Sequence, residues 1–367
     1  MSFVISRRRL VQVTSSAIAA GALSNVTGLA SAQPAGELRV ATSGGNWGDA
    51  IVNAFVKPFE AETGIKVTPI FQDVGAAQIG MMVKTNTVSI DVSTVGAVLG
   101  ETLATGDFLE KIDYSYYDKN DLDAVPDYCR KSFGFASYIY STNMFVNTGK
   151  LPTAKQRPTT WAEFWDVQKF PGVRSLMSGA GIPGPFEEAL LADGVPMNTL
   201  YPMDIDRVFA SLDRIKPHIR KWWASGAEIL QIMRDGVADL GQSYDGRINS
   251  LIDAGVPIDI GRNQVKLTWD YWIIPKGSPN AQNAQKFIAS TARADRQATF
   301  AKLFAQSPSN RNAYKSIPDN IGRKLATNPD YAAGSYPANA KWYTEIGSDG
   351  LSNLDQLKQR WKKWIVL

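Results

Sequence analysis

Polar and apolar residues alternate over residues 37–42, which is the pattern of a half-buried β-strand. A glycine-rich loop follows, and large apolar residues then recur at the spacing of one face of an α-helix. These helical positions are Ile51, Phe55 and Phe59. We expect Asn46 to be the N-cap of this helix and Gly64 to end it, because Gly tolerates the left-handed backbone beyond a helix. Residues 65–70 and 89–95 are the next expected strands.

The order strand, loop, helix, strand predicts a lobe built on a parallel sheet, where loops at the carboxyl ends of the strands meet ligands. Capping-box sequences mark later helix starts at Thr160 and Ser225. Residues 239–244 and 267–274 are expected strands, and 281–305 is an expected helical stretch. Apolar residues return at helical spacing in the C-terminal tail, and we expect them to form a packing face: Leu354, Leu357, Trp361, Trp364 and Ile365. The chain is therefore expected to have an α/β fold.

The N-terminus has the features of an export signal. Arg7 and Arg8 precede a mildly apolar stretch that ends in small residues at Ala30 and Ala32, a pattern typical of a twin-arginine signal peptide. The stretch is too polar and too short for a stable membrane span. We expect residues 1–32 to be removed, Gln33 to begin the mature chain, and the protein to be periplasmic. An ordinary N-terminal helix is the alternative interpretation.

Length and composition narrow the function. The full chain has 39 basic and 35 acidic residues, and the signal contains three of the arginines. The mature chain of 335 residues therefore has a net charge of +1, which gives no electrostatic footprint for nucleic acid. This length exceeds one ordinary core, so two lobes are expected. A single cysteine and a single histidine exclude a disulfide scaffold and a Cys/His zinc cluster. Cys129 and His218 could pair as nucleophile and base, but a buried thiol and a surface imidazole are the favoured interpretation.

Several local patterns resemble the spermidine/putrescine-binding group of bacterial ABC-transporter solute receptors, over nearly the whole mature chain. The most specific one runs from Trp222-Trp-Ala-Ser-Gly-Ala-Glu228 through Asp235-Gly-Val-Ala-Asp-Leu-Gly-Gln-Ser-Tyr-Asp-Gly-Arg247. The others are Asn46-Trp47, Phe59 to Val67, Trp161 to Trp165, Trp269-Asp270 before Ile274-Pro275, Asn280 to Ile288, Lys341-Trp342 and Arg360-Trp361.

The resemblance implies a two-lobed periplasmic binding protein of type II, the Venus-flytrap architecture, in which the chain crosses between lobes and hinge closure captures a ligand. The crossings would lie near residues 145, 269 and 312. Lobe 1 would then comprise 33–145 plus 270–312, and lobe 2 would comprise 146–269 plus 313–367. The implied function is the periplasmic component of an ABC importer, a monomer that delivers a small solute to a membrane permease without cofactor or catalysis.

The resemblance also implies a set of ligand contacts, in which rings and carboxylates hold an amine. Trp47 matches an aromatic of the opening loop, Tyr244 an aromatic of the second lobe, and Asp270 an acidic position at the crossing. Trp269, beside Asp270, is a further expected contact. Asp245 and Arg247 adjoin Tyr244, and Arg247 could bind a carboxylate or stabilise the lobe. Ser225 could face an anionic group or only cap its helix. Core packing is the alternative role for Trp47 and Tyr244, and a structural hydrogen-bond anchor is the alternative for Asp270.

One stretch departs from the polyamine receptors. Where they present an acidic pair, residues 178–184 read Ser-Gly-Ala-Gly-Ile-Pro-Gly, and no carboxylate appears before Glu187 and Glu188. A tricationic ligand would be poorly neutralised there. A smaller amine or a zwitterion is therefore expected, and the glycine-rich loops could even serve an anion.

Two other functions stay open. An exported hydrolase could use a carboxylate pair, although no motif places two carboxylates together. A ferric-ion receptor could use Tyr116 and Tyr117, although no histidine lies near them in the sequence.

Overall fold

The computed structural model describes residues 36–181 and 184–366, so the predicted signal segment 1–32, with its cleavage after Ala32, lies outside the described residues. The strands are β1 Glu37–Thr42, β2 Lys66–Phe71, β3 Val92–Gly96, β4 Arg130–Lys131, β5 Gly134–Phe135, β6 Tyr138–Asn147, β7 Arg174–Met177, β8 Ile219–Trp223, β9 Leu240–Tyr244, β10 Ile258–Ile260, β11 Val265–Ile273, β12 Ser307–Pro308 and β13 Ser335–Pro337. None of the described helices is long and apolar enough to cross a membrane.

The α-helices lie on and between these strands. They are α1 Gly45–Ile51, α2 Lys57–Thr63, α3 Ala76–Lys84, α4 Ala97–Thr105, α5 Lys119–Asp123, α6 Trp161–Trp165, α7 Phe186–Ala192, α8 Ile205–Ile215, α9 Gly226–Arg234, α10 Asp245–Asp253, α11 Ala281–Thr291, α12 Ala294–Leu303, α13 Asp319–Gly322, α14 Ala340–Thr344 and α15 Asn353–Trp364. A π-helical stretch, Val52–Val56, joins α1 to α2.

One sheet path carries the fold. Its strand order is β2-β1-β3-β11-β6-β9-β7-β8, parallel over β2, β1 and β3, antiparallel through β11, β6 and β9, and parallel again over β9, β7 and β8. The predicted α/β class is confirmed. Strand β11 changes its partners along its length, because Lys266 to Trp269 pair with β6 whereas Asp270 to Ile273 pair with β3. The change falls at the predicted crossing near residue 269, although the lobe boundaries themselves stay a prediction.

The first helix begins earlier than expected. Gly44, and not Asn46, is its N-cap, and the first helical hydrogen bond runs from the Gly48 N–H to the Gly44 carbonyl. The reason is that Gly45 adopts a φ of 66°, a left-handed conformation that favours glycine, so the chain turns into the helix one residue before Asn46. The end of the helix is as expected, because Gly64 closes it with a φ of 71°.

The other helix predictions are largely confirmed. Thr160 and Ser225 cap α6 and α9 by accepting from the N–H groups of Glu163 and Glu228. The expected helix over 281–305 is two helices, because Arg293 is extended, with a ψ of 134°, and caps α12. In the C-terminal helix α15 the buried residues include Leu357, Trp361 and Trp364, so this helix packs as predicted.

The lone cysteine and histidine are not a catalytic pair. Cys129 is fully buried, and burial raises the pKa of its thiol well above the usual value. His218 is exposed in the 3₁₀-helix Lys216–His218. A nucleophilic cysteine needs a lowered pKa and an adjacent base, so the interpretation as a buried thiol and a surface imidazole is confirmed.

Candidate functional site

A cleft of about 840 Å³ opens where the chain leaves several strands of the sheet. Ser43 follows β1, Asp73 follows β2, and Tyr244 ends β9, and all three line the cleft. In α/β proteins, ligands typically bind outside the carboxyl ends of the strands. The volume of this cleft is within the range of about 300–1,000 Å³ found for ligand pockets. The cleft is therefore the candidate binding site.

Asp270 supplies a carboxylate in this cleft. Its Oδ2 accepts a hydrogen bond from the Tyr138 hydroxyl at 3.0 Å, and its Oδ1 accepts one from the Tyr140 hydroxyl at 3.1 Å. Burial raises the pKa of Asp270, the two tyrosine hydrogen bonds oppose the rise, and the charge of Asp73 adds to it. No basic side chain contacts this carboxylate in the described chain. A cationic group of a ligand would supply the missing counter-charge.

Aromatic rings form two walls of the cleft. Trp47 is half-buried, and its ring packs edge-on against Tyr138 and Phe304, at centroid distances of 4.9 and 5.1 Å. Tyr244 packs edge-on against Tyr140 at 5.9 Å. Trp47 and Tyr244 thus face the cleft and also take part in aromatic packing. Lining the cleft, as a ligand contact would require, and packing against other rings are therefore compatible for these two residues.

Arg247 is the basic group of the cleft. It lies on the first turn of α10, and its guanidinium extends over Gly226, the first residue of α9. Neither a hydrogen bond nor an ion pair joins this guanidinium to any other described residue. Burial lowers the pKa of Arg247. A partly desolvated guanidinium without an acceptor is suited to a carboxylate, which it binds with two parallel hydrogen bonds.

Three predicted site residues do not line the cleft. Trp269 is 2% exposed and packs against Tyr128, because successive side chains on β11 point to opposite faces and Asp270 takes the cleft side. Asp245 is fully buried behind Gly246. Ser225 is occupied in capping α9, the simpler of the two roles considered for it.

Sequence reasoning missed several residues that the cleft brings together. Asp73 accepts a hydrogen bond from the Ser43 hydroxyl at 2.6 Å, and Tyr140 holds Asp270. Gln306 lies just after α12 and is 5% exposed. Asp73 could have been found, because it follows the carboxyl end of a predicted strand, where ligand residues gather. The other two carry no comparable signal.

Glu187 and Glu188 are not among the described residues that line the cleft. Both are fully buried, and each accepts a hydrogen bond from the fully buried ammonium of Lys266, at 2.9 and 3.0 Å. Burial would lower the pKa of Lys266, but the two carboxylates hold it above its usual value. Glu187 also accepts from the Tyr201 and Tyr343 hydroxyls. The cluster is structural, and it joins α7 to β11 next to the partly described loop 178–184.

Charged, polar and aromatic side chains line the cleft. The described residues contain no cluster of three or more His, Cys, Asp or Glu side chains that could hold a metal ion. Tyr116 and Tyr117, the candidate ferric ligands, lie outside the cleft lining, and Tyr117 is half-buried beside Phe135. The described lining of the cleft contains the carboxylates of Asp73, Asp253 and Asp270, the guanidinium of Arg247 and aromatic walls.

The comparisons with known proteins identify the family. A model described as bacterial extracellular solute-binding protein matches residues 54–333, which is most of the chain. The chain belongs to this family. A curated relative, the gamma-aminobutyric acid-binding protein of Pseudomonas aeruginosa, is 30% identical to this solute-binding protein over 338 residues, which cover 89% of the chain and 90% of the relative. The relatives to which this chain is matched are binding proteins and not enzymes.

Solved structures of solute-binding proteins share the fold. The Atu4243 GABA receptor is 30% identical, covers 90% of this chain and 97% of its own, and has a TM-score of 0.79. A substrate-binding protein of an ABC transporter from Bradyrhizobium japonicum is 27% identical with a TM-score of 0.81, over 90% of this chain and 99% of its own. The AgtB protein of A. tumefaciens R10, in complex with agropinic acid, is 29% identical with a TM-score of 0.73, over 90% and 99%. The two-lobed periplasmic binding protein architecture is thus confirmed.

Proposed function

We propose that this solute-binding protein captures a small zwitterion with one amine and one carboxylate, of the γ-aminobutyrate class, and delivers it to an ABC permease. The observation that carries the proposal is that one cleft contains Asp270, a carboxylate with no basic partner among the described residues, and Arg247, a guanidinium with no acidic partner among them. Each is partly desolvated, so an opposite charge on the ligand would be favourable at both.

The position of the two charges supports capture by closure. Asp270 begins the part of β11 that pairs with β3, whereas Arg247 lies on α10, beyond the end of β9. In the predicted division of the chain these elements belong to different lobes. A ligand whose two ends bind to the two lobes would stabilise the closed state over the open one, and this difference in affinity is what drives closure.

The relatives support the same ligand class. The Pseudomonas aeruginosa relative is named for gamma-aminobutyric acid, and a structure of similar fold is a GABA receptor. AgtB, at 29% identity, was solved with agropinic acid, so the ligands named for these relatives differ. The contacts in the cleft of this chain therefore carry more weight than the names.

A polyamine-like ligand is the second candidate. Asp73 adds a carboxylate near Asp270, which favours a second amine more than the sequence suggested. Against it, Arg247 has no acidic partner in the part of the chain that the structure describes, and a diamine would leave that guanidinium buried against the ligand without an acceptor. Resemblance to the spermidine/putrescine-binding group stays a prediction at this level of detail.

Isothermal titration calorimetry separates the two candidates. Mature protein is titrated with γ-aminobutyrate, butyrate, putrescine and spermidine. We expect γ-aminobutyrate to bind most tightly, since it alone matches both charges. In Arg247→Ala, the affinity for γ-aminobutyrate should fall while that for putrescine should hold or rise. Tighter binding of spermidine than of every zwitterion, in the wild type, would contradict the proposal. Localisation is tested by fractionating the cells, where the periplasm should hold the mature form.

A further inference from the structure

The guanidinium of Arg247 occupies a space that exists only because residue 226 lacks a side chain. A Cβ placed on Gly226 would lie 2.0 Å from Nη2, 2.2 Å from Cζ and 2.3 Å from Nε of Arg247. Carbon atoms in van der Waals contact are about 3.5 Å apart or more. Any side chain at position 226 would therefore displace the guanidinium.

In its position over Gly226, the Arg247 guanidinium has no hydrogen-bond acceptor among the described residues. Among the described residues no hydrogen bond or ion pair reaches it, and Gly226 is the first residue of α9. The start of a helix carries partial positive charge, which disfavours a cation there. Because Arg247 also lines the cleft, we expect a displaced guanidinium to move into the cleft.

We propose that Gly226 determines the length of ligand that the cleft accepts, because it lets Arg247 lie back against α9 and so sets how far the guanidinium stands from Asp270. This inference rests on the proposed function, in which those two groups bind the two ends of one zwitterion. Residue 226 touches no ligand atom in this account. It acts through Arg247, and it is a specificity-determining residue in that sense only.

Gly226→Ala is a mild way to test the inference. The new methyl group meets the flexible end of a side chain and not backbone, and Ala is a better helix former than Gly, so α9 should form at least as readily. The guanidinium would have to move by about 1.5 Å, from 2.0 Å to a normal contact near 3.5 Å. A displacement of this size directed at Asp270 would be about the length that one methylene group adds to a ligand.

The experiment measures Kd by calorimetry for glycine, β-alanine, γ-aminobutyrate and 5-aminovalerate, in wild type, Gly226→Ala, Arg247→Ala and the double variant. Gly75→Ala is the matched control, since Gly75 is also at a helix start and a Cβ there would meet nothing within 4 Å. We expect the length optimum of Gly226→Ala to be one methylene shorter than that of the wild type, with an unchanged or higher Tm. Gly75→Ala should keep the wild-type optimum.

The outcomes distinguish this inference from the proposed function. If Arg247→Ala weakens binding of every zwitterion but Gly226→Ala leaves the length profile unchanged or lowers all affinities alike, the proposed function stands and the role of Gly226 is wrong. If Gly226→Ala shifts the optimum even when Arg247 is absent, it does not act through the guanidinium and the inference is equally overturned. If Arg247→Ala changes no affinity, both proposals fail.

Discussion

Asp270→Asn should weaken ligand binding strongly without weakening the fold. The substitution removes the charge of Asp270 and leaves the other carboxylates of the cleft lining in place. The side chain keeps its shape, and its remaining oxygen can still accept a hydrogen bond from one of the two hydroxyls that the carboxylate accepts from, Tyr138 at 3.0 Å and Tyr140 at 3.1 Å. Removing one partner of a desolvated charge pair costs about 2 to 5 kcal/mol. The expected rise in Kd is therefore roughly 30-fold to 4,000-fold.

The stability of the ligand-free protein should respond in the opposite sense. Burial raises the pKa of Asp270, which means that the folded state disfavours its ionised form. At neutral pH the ionised carboxylate thus costs stability, and the uncharged amide does not. We expect the Tm of Asp270→Asn without ligand to be no lower than that of the wild type, while the ligand-induced rise in Tm is lost.

Calorimetry with γ-aminobutyrate and thermal denaturation with and without ligand measure the two effects. The matched control is Asp206→Asn, which removes an 85% exposed carboxylate paired with Arg360 on the surface. It should change neither Kd nor the ligand-induced rise in Tm. The reasoning would be refuted by a Kd for Asp270→Asn within a factor of three of the wild-type value in a variant that remains folded.

Three further predictions concern the buried charges and export. Burial raises the pKa of Asp245 to about 6, above the 3.9 of an unfolded chain, so the folded protein holds this proton more tightly and its stability should fall by about 3 kcal/mol between about pH 4 and pH 6. Urea denaturation across this range should show that slope in the wild type and lose it in Asp245→Asn; equal slopes would contradict the burial argument. Lys266→Met leaves Glu187 and Glu188 without their cation and should destabilise the fold by about 3 to 5 kcal/mol in urea denaturation. Changing both glutamates to Gln as well should recover part of this stability. If Lys266→Met alone were as stable as the wild type, the structural role of the cluster would be contradicted. N-terminal sequencing of periplasmic protein should give a chain that begins at Gln33. A periplasmic chain that retains the signal arginines would refute cleavage.

Local patterns predicted most of the regular structure, because their physics is local. The strand over residues 37–42 has the predicted bounds, and the capped helices begin where Thr160 and Ser225 supply an oxygen to a free N–H. The miss at Asn46 arose because the φ of Gly45 cannot be deduced from residue preferences at the neighbouring cap. The break at Arg293 was missed because the apolar spacing continues across it.

The candidate site could be predicted only in part, because it depends on how distant segments meet. Trp47, Tyr244, Arg247 and Asp270 line one cleft as the resemblance implied, although the ligand contacts themselves stay a proposal. Neighbouring residues in sequence were a poor guide, since Trp269 adjoins Asp270 but points to the other face of β11. The position of the Arg247 guanidinium over Gly226, with no partner among the described residues, becomes visible only in three dimensions.

A crystal structure of the mature protein with γ-aminobutyrate tests the central claim most directly, because it shows which group each end of the ligand binds. We predict a closed cleft in which the ammonium lies within hydrogen-bond distance of the Asp270 carboxylate and the carboxylate receives hydrogen bonds from the Arg247 guanidinium. A ligand bound with its carboxylate away from Arg247, or a cleft that stays empty at saturating γ-aminobutyrate, would contradict the account.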